Sequence, residues 1–205
     1  MTDMTNPVAG DAVAETARSF DPGTNVLVVD ESGGEALPFS LRHTDADGGI
    51  AVVTTDRPAP SVADAAGRSL ADGTRLDIVD CTGGSTEADT PAVDSLVSAG
   101  QALPSVGEAT VDTVQGAGPT TLSTVYLGSV STLVARSTVQ QVYKLLYMVA
   151  DQVRANGLVA FYAWDGPSEE KTLRILGQAL DRRVSLDGRD EPTVRSSTEW
   201  SGDDG

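Results

Sequence analysis

The chain has 205 residues, 40% of them apolar, which is enough for one ordinary domain with a sizeable core. It carries 30 acidic and 14 basic residues, a formal charge of −16 that disfavours nonspecific nucleic-acid binding. Cys81 and His43 are each the only residue of their kind, no run of eighteen apolar residues is present to cross a membrane, and the first residues have neither the basic nor the apolar part of a secretory signal. A disulfide framework and a His/Cys metal site are thereby excluded within one chain, and a cytoplasmic location is expected.

Residues 1–7 read as a flexible polar lead, and residues 8–20 as a helix that Asp21-Pro-Gly23 breaks. Asn25 to Val29 is a short buried strand running into Asp30-Glu-Ser-Gly-Gly-Glu35, where a nucleotide-binding fold places its phosphate loop. Gly49 to Thr55 is a second strand. A short helix from about Ser61, its cap, to about Leu70 follows, then a third strand over Thr74 to Asp80 with Leu76, Ile78 and Asp80 to one side. Cys81 to Pro91 reads as a polar loop, Ala92 to Ala102 as a short helix, and Pro104 to Pro119 as an aperiodic stretch with a strand fragment at Thr110 to Val114.

The stretch 124–164 is the clearest part of the chain. Thr124 to Leu127 favours strand, Ser137 and Gln140 have the form of a capping box, and Val139, Val142, Leu146, Val149 and Val153 recur at helical spacing. Asn156-Gly157 supplies a left-handed stop, and Leu158 to Trp164 is apolar without alternation, as in a parallel strand buried on both faces. Together they predict a βαβ unit. Pro167 suits the first position of a further helix with Glu169 and Glu170 at its positive end, and Leu173, Leu176 and Leu180 form its stripe. Arg183 to Asp187 reads as a last strand. The expected organisation is a single domain over residues 8–187, followed by an acidic, mobile tail over 188–205 apart from an edge strand near Thr193 to Ser196.

This alternation predicts an α/β fold, three-layered with a mostly parallel sheet. It resembles the RecA/KaiC-like P-loop ATPases, and in particular the small KaiC/RadA-like proteins of halophilic archaea. The residues that carry the resemblance are Val125 to Leu127, Ser129-Val-Ser-Thr-Leu133, Val139 to Arg154, Leu158 to Asp165 and Glu170-Lys-Thr172, with a weaker match over Asn25 to Ile78. An acidic surface with only two lysines, Lys144 and Lys171, also has the style of proteins that work in brine.

Departures from that family bear on function. A working phosphate loop needs a Lys for the β/γ-phosphates and a Ser/Thr for Mg²⁺. Here Asp30-Glu-Ser-Gly-Gly-Glu-Ala-Leu has neither at the required place, and Asp30, Glu31 and Glu35 repel a triphosphate. Gly128 stands where the metal-holding acid belongs. Ser32, Gly33 and Gly34 remain as a degenerate remnant able to offer amides to an anion, weighed against a bare turn. The resemblance with both motifs lost implies a non-catalytic regulatory or protein-interaction module, with no catalytic residue, metal or cofactor. Its partner would be an unidentified protein or a second copy, with no membrane. A residual nucleotide-binding protein and a DNA-linked regulator of transcription or recombination are the alternatives.

Other residues read as structural. His43 is a surface residue at a helix end, and Cys81 a semi-buried inert thiol without a His to act as base. Arg174, Arg182 and Arg183 form an internal ion-pair set rather than a basic patch. Asp165 is either a ligand-side residue at a strand end or a helix-starting turn.

Overall fold

Eight short segments rich in Val, Leu, Ile and Thr pair into one sheet. The computed structural model describes residues 20–45, 48–84, 93–116, 122–167, 169–186 and 192–196. Its strands are β1 (Asn25–Val29), β2 (Ile50–Thr54), β3 (Leu76–Asp80), β4 (Ser95–Ser98), β5 (Thr124–Gly128), β6 (Val159–Trp164), β7 (Arg182–Ser185) and β8 (Thr193–Ser196). The helices are α1 (Ala36–Arg42), α2 (Ala59–Ala66), α3 (Leu103–Gly116), α4 (Val130–Arg136), α5 (Val139–Asn156) and α6 (Glu170–Gly177).

The strand order is β4-β3-β2-β5-β6-β1-β7-β8. Every pairing is parallel except β7 with β8. Side chains alternate across the sheet and divide the core in two. Val26, Val28, Ile50 and Val52 pack under α1 and α2, whereas Leu27, Val29, Ala51 and Val53 pack under α3, α4, α5 and α6. β1, β2 and β5 are buried at every position, as a parallel sheet covered on both faces requires. The fold is therefore a three-layer α/β fold with a mostly parallel sheet.

Helix α5 lies against this sheet through Val142, Leu146, Val149 and Val153, all fully buried. It starts one residue later than the sequence suggests. Thr138, not Ser137, is the cap, and its hydroxyl accepts the Gln141 amide at 3.3 Å. Gly157 ends it at φ 65°, with the amides of Gly157 and Leu158 on the carbonyls of Arg154 and Val153, so two end carbonyls are satisfied. At the same end of the sheet the fully buried Asn25 joins three elements. Its carboxamide donates to the Ala150 carbonyl at 3.4 Å and to Asp181 at 3.2 Å, and accepts the Tyr162 hydroxyl at 2.9 Å.

Several expectations are corrected. Where a helix is expected over Ala92 to Ala102, the described residues 93–102 form none: Ser95–Ser98 adds as parallel strand β4 beside β3. Thr110 to Val114 is not a strand fragment but part of the fourteen-residue α3, which buries Val106, Gly107, Thr110 and Val114 at helical spacing. Ser61 lies inside α2, whose cap position is Pro58. Pro167 precedes α6, which begins at Glu170. The edge strand expected near Thr193 to Ser196 is present, antiparallel to β7. The lead at 1–7 and the helix expected over 8–20, apart from Phe20, lie outside the described residues.

Candidate functional site

All strands of the parallel part of the sheet point their carboxyl ends to the same edge. The chain leaves β2 toward β3 on one side and β5 toward β6 on the other, and such a divergence opens a crevice where ligands sit in open α/β sheets. The loops after β1, β2, β5 and β6 meet there.

The loop after β1 is where the sequence reading looks for phosphate-binding amides, and those amides already have a partner. Asp30 ends β1 and is fully buried. One carboxylate oxygen accepts the amides of Glu35 at 2.6 Å and Ala36 at 2.9 Å. The other accepts the amides of Ser32 at 3.1 Å and Gly33 at 3.2 Å, together with the Ser32 hydroxyl. Backbone amides that converge in this way make an anion nest, and Asp30 supplies the anion from within the chain. Burial acts to raise its carboxyl, but the hydrogen bonds from Ser32, Glu35, Ala36 and Gly33 outweigh it and hold the pKa below the usual aspartate value. Of the three remnant residues, Ser32 and Gly33 thus serve Asp30. Gly34 is open, with nothing within 4 Å of where a Cβ would stand.

Arg57, from the loop after β2, donates to the Gly33 carbonyl and lies 3.5 Å from Asp56. That guanidinium closes the outer side of the loop. Asp56 has an exposed backbone, but its side chain is 24% exposed. Desolvation first, then the Asp165 charge, raise its pKa, with Arg57 opposing.

At the ends of β5 and β6 a second carboxylate is satisfied internally. Ser129 caps α4 by accepting the Thr132 amide at 3.2 Å. The hydroxyls of Ser129 and Ser131 both donate to one Asp165 oxygen. Thr55 is fixed to the same turn, its hydroxyl donating to the Ser129 carbonyl at 2.9 Å and accepting the Ser129 amide at 2.7 Å. The Tyr126 ring lies over Gly128, at the end of β5. A Cβ at Gly128 would lie 2.5 Å from the Tyr126 hydroxyl. Burial, followed by Asp56 and with Arg57 opposing, pushes the Tyr126 phenol far above its usual pKa, so it stays neutral.

Asp80 at the end of β3 repeats the arrangement. It accepts the first α2 amide, Ala59, at 2.9 Å and the Thr82 amide at 2.8 Å. Three strands therefore end in an aspartate whose carboxylate is bound by its own neighbourhood. The sequence reading gave Asp30 a repelling role and missed the capping by Asp80. The signal was present, since an Asp followed two residues later by Ser or Thr is a side-chain turn motif.

The remaining candidates are placed elsewhere. His43 is half-buried at the end of α1: its ring is 4.2 Å from Phe39 and 6.1 Å from Phe161, and its Nδ1 bonds the Phe39 carbonyl at 2.8 Å. Cys81 is fully buried, and burial, reinforced by Asp80, pushes its thiol up to about 11. Arg183 pairs with Glu170 at 3.1 Å. Among the described residues no cluster of His, Cys, Asp or Glu could hold a metal ion, and no helix is long and apolar enough to cross a membrane.

Comparison with known families matches residues 23–186 to a family of unknown function, DUF7504, and the chain belongs to that family. The match spans the domain from just before β1 to just after β7, and so includes every loop of the crevice. No curated protein matches the chain.

Proposed function

We propose that this member of a family of unknown function is a non-catalytic regulatory or protein-interaction module, working in the cytoplasm through its surfaces rather than through a bound nucleotide. The observation that carries this reading is the Asp30 carboxylate in the cradle of the first loop, taking the amides of Ser32, Gly33, Glu35 and Ala36. A triphosphate needs those donors free, and it needs a cation opposite them. Arg57, a cation that reaches the loop, is bound to the Gly33 carbonyl. The second support is Tyr126, whose ring fills the place of a metal-binding acid at Gly128. A degenerate descendant of a RecA/KaiC-like ATPase accounts for a fold that keeps the loop but not its chemistry. Asp30, Asp56 and Asp165 along one edge also weigh against a nucleic-acid backbone there.

The test is calorimetric titration of the full chain with ATP, with and without magnesium, in molar KCl, together with phosphate release. No binding heat and no turnover above background are expected. Saturable binding of ATP would replace this reading by that of a residual nucleotide-binding protein.

A further inference from the structure

Helix α5 buries one face against the sheet, packs against α3 and α6, and leaves its outer stripe open. At its centre Tyr147 is 56% exposed and Met148 44% exposed, two of the few large apolar side chains outside the core among the described residues. The Tyr143 ring lies 6.4 Å from that of Tyr147 and extends the patch. Adjacent exposed aromatic and thioether groups on one helix mark an interaction surface more often than isolated apolar residues do.

Charge narrows what can cover it. In a chain of −16, the outward positions of α5 carry Lys144, Asp151 and Arg154, and Arg154 is engaged by Asp181 at 2.9 Å. Lys144 and Asp151 remain as one cation and one anion. This makes α5 a face on which two strongly acidic chains can approach without opposing carboxylates. Lys144, Tyr147 and Asp151 are three and four residues apart, so they share a stripe.

The pattern is also self-complementary. Lys144 and Asp151 are equally distant along the chain from the point between Tyr147 and Met148, as are Gln141 and Arg154. When two copies of the helix cross antiparallel about a two-fold axis at that point, each Lys144 meets the Asp151 of the other copy. Each Tyr147 meets the other Met148, a favourable sulfur–aromatic contact. An isologous interface demands this property, that a surface matches itself reversed.

We infer that α5 is the self-association surface of this protein: two copies pair antiparallel through Tyr147 and Met148, with Lys144–Asp151 ion pairs on either side. The proposal names the partner that the proposed function leaves open, a second copy. It uses no atom of the Asp30 loop, so ATP binding would overturn that reading and leave this one standing. A single helix pair is a small contact, so the association is weak and concentration-dependent. Salt strengthens it, because it screens the repulsion between the two acidic chains and favours apolar burial.

The test is sedimentation of the full chain in molar KCl, from micromolar to near-millimolar protein, with thermal melts as the folding control. A monomer–dimer equilibrium is expected. Tyr147→Asp weakens it by about tenfold or more, as loss of a central aromatic contact does. Lys144→Asp and Asp151→Lys each create two like-charge contacts by symmetry and weaken it by about threefold, molar salt screening part of the repulsion, while the double exchange restores the parent association. All three positions are exposed, so the melts stay close to the parent. A chain that is monomeric throughout, a dimer indifferent to Tyr147→Asp, or a double exchange that fails to restore association would each overturn the proposal.

Discussion

The Asp30 carboxylate accepts the Ala36 amide at 2.9 Å, and so the strand that leads into the loop also caps the helix that leaves it. Residue and amide are six positions apart, and four further donors converge on the same carboxylate. A charged acceptor at the positive end of a helix is favourable in itself. The consequence is that the loop is complete without a ligand.

Removing that acceptor should be felt in stability. Asp30→Ala leaves converging amides without a partner and is expected to cost about 2 to 4 kcal/mol, read from chemical denaturation in molar KCl. Asp30→Asn loses less, because the carboxamide oxygen still accepts. The pH dependence has a definite sign. The folded pKa of Asp30 lies below its ordinary value, so the stabilisation is complete above the unfolded-state pKa and is lost as pH falls through the folded one. The acid limb of the stability curve, below about pH 4, should therefore be shallower in Asp30→Ala than in the parent.

Gly128 offers a steric test of the proposed loss of a metal site. Gly128→Asp would place an acid where the proposed ATPase-like ancestry expects one, but its Cβ would stand 2.5 Å from the Tyr126 ring and hydroxyl. A buried tyrosine on a central strand has little room to yield, and overpacking of this kind costs about 1 to 3 kcal/mol. The variant is expected to melt lower than the parent and to gain no magnesium-dependent stabilisation. A second change, Tyr126→Ala, should relieve the clash, so the double variant would lose less than the two single losses added together.

The Asn25 network gives a third expectation. Tyr162→Phe removes the donor to the Asn25 carboxamide oxygen, a contact 2.9 Å long between fully buried residues. An unsatisfied buried acceptor costs about 1 to 3 kcal/mol, measured as a shift in the denaturation midpoint without a change in slope.

How far the sequence revealed this fold depended on how strongly each segment was patterned. β1, β2, β5 and β6 are runs of Val, Leu, Ala and aromatic residues, and α5 carries an unbroken stripe ended by Gly157, so all five were legible. Helix α3 was not, because its stripe of Val106, Thr110 and Val114 is interrupted by a threonine and a glycine. Gly107 is explained only by the partner helix: a Cβ there would lie 2.7 Å from Leu145. Four-residue β4 was hidden for another reason. Edge pairing with β3 decides its state, and nothing in Ser-Leu-Val-Ser does so locally. At the site, the missing Lys and acid were visible as letters. The filled cradle was not, since it depends on which way the Asp30 side chain turns.

The charge of −16 predicts salt dependence. The Debye length falls from about 10 Å at 0.1 M to about 3 Å at 1 M, so repulsion among surface carboxylates shrinks as KCl rises. Melting temperature should climb steadily over that range. At low salt, acidification from neutral toward about pH 5 should recover part of the loss if charge is the cause. Asp56 adds to this direction, because its folded pKa is raised and its protonation relieves the desolvated charge. A melting temperature indifferent to KCl would remove the charge explanation.

The occupied cradle is tested most directly by melting the parent chain against increasing ATP and magnesium in molar KCl. A ligand of the folded state raises the melting point by mass action, and at a hundred times its dissociation constant it adds roughly 2.7 kcal/mol. With Asp30 holding the amides of Ser32, Gly33, Glu35 and Ala36, the melting temperature should stay flat up to millimolar ATP. A saturable rise with ATP would show that the loop opens to phosphate, and would contradict the account.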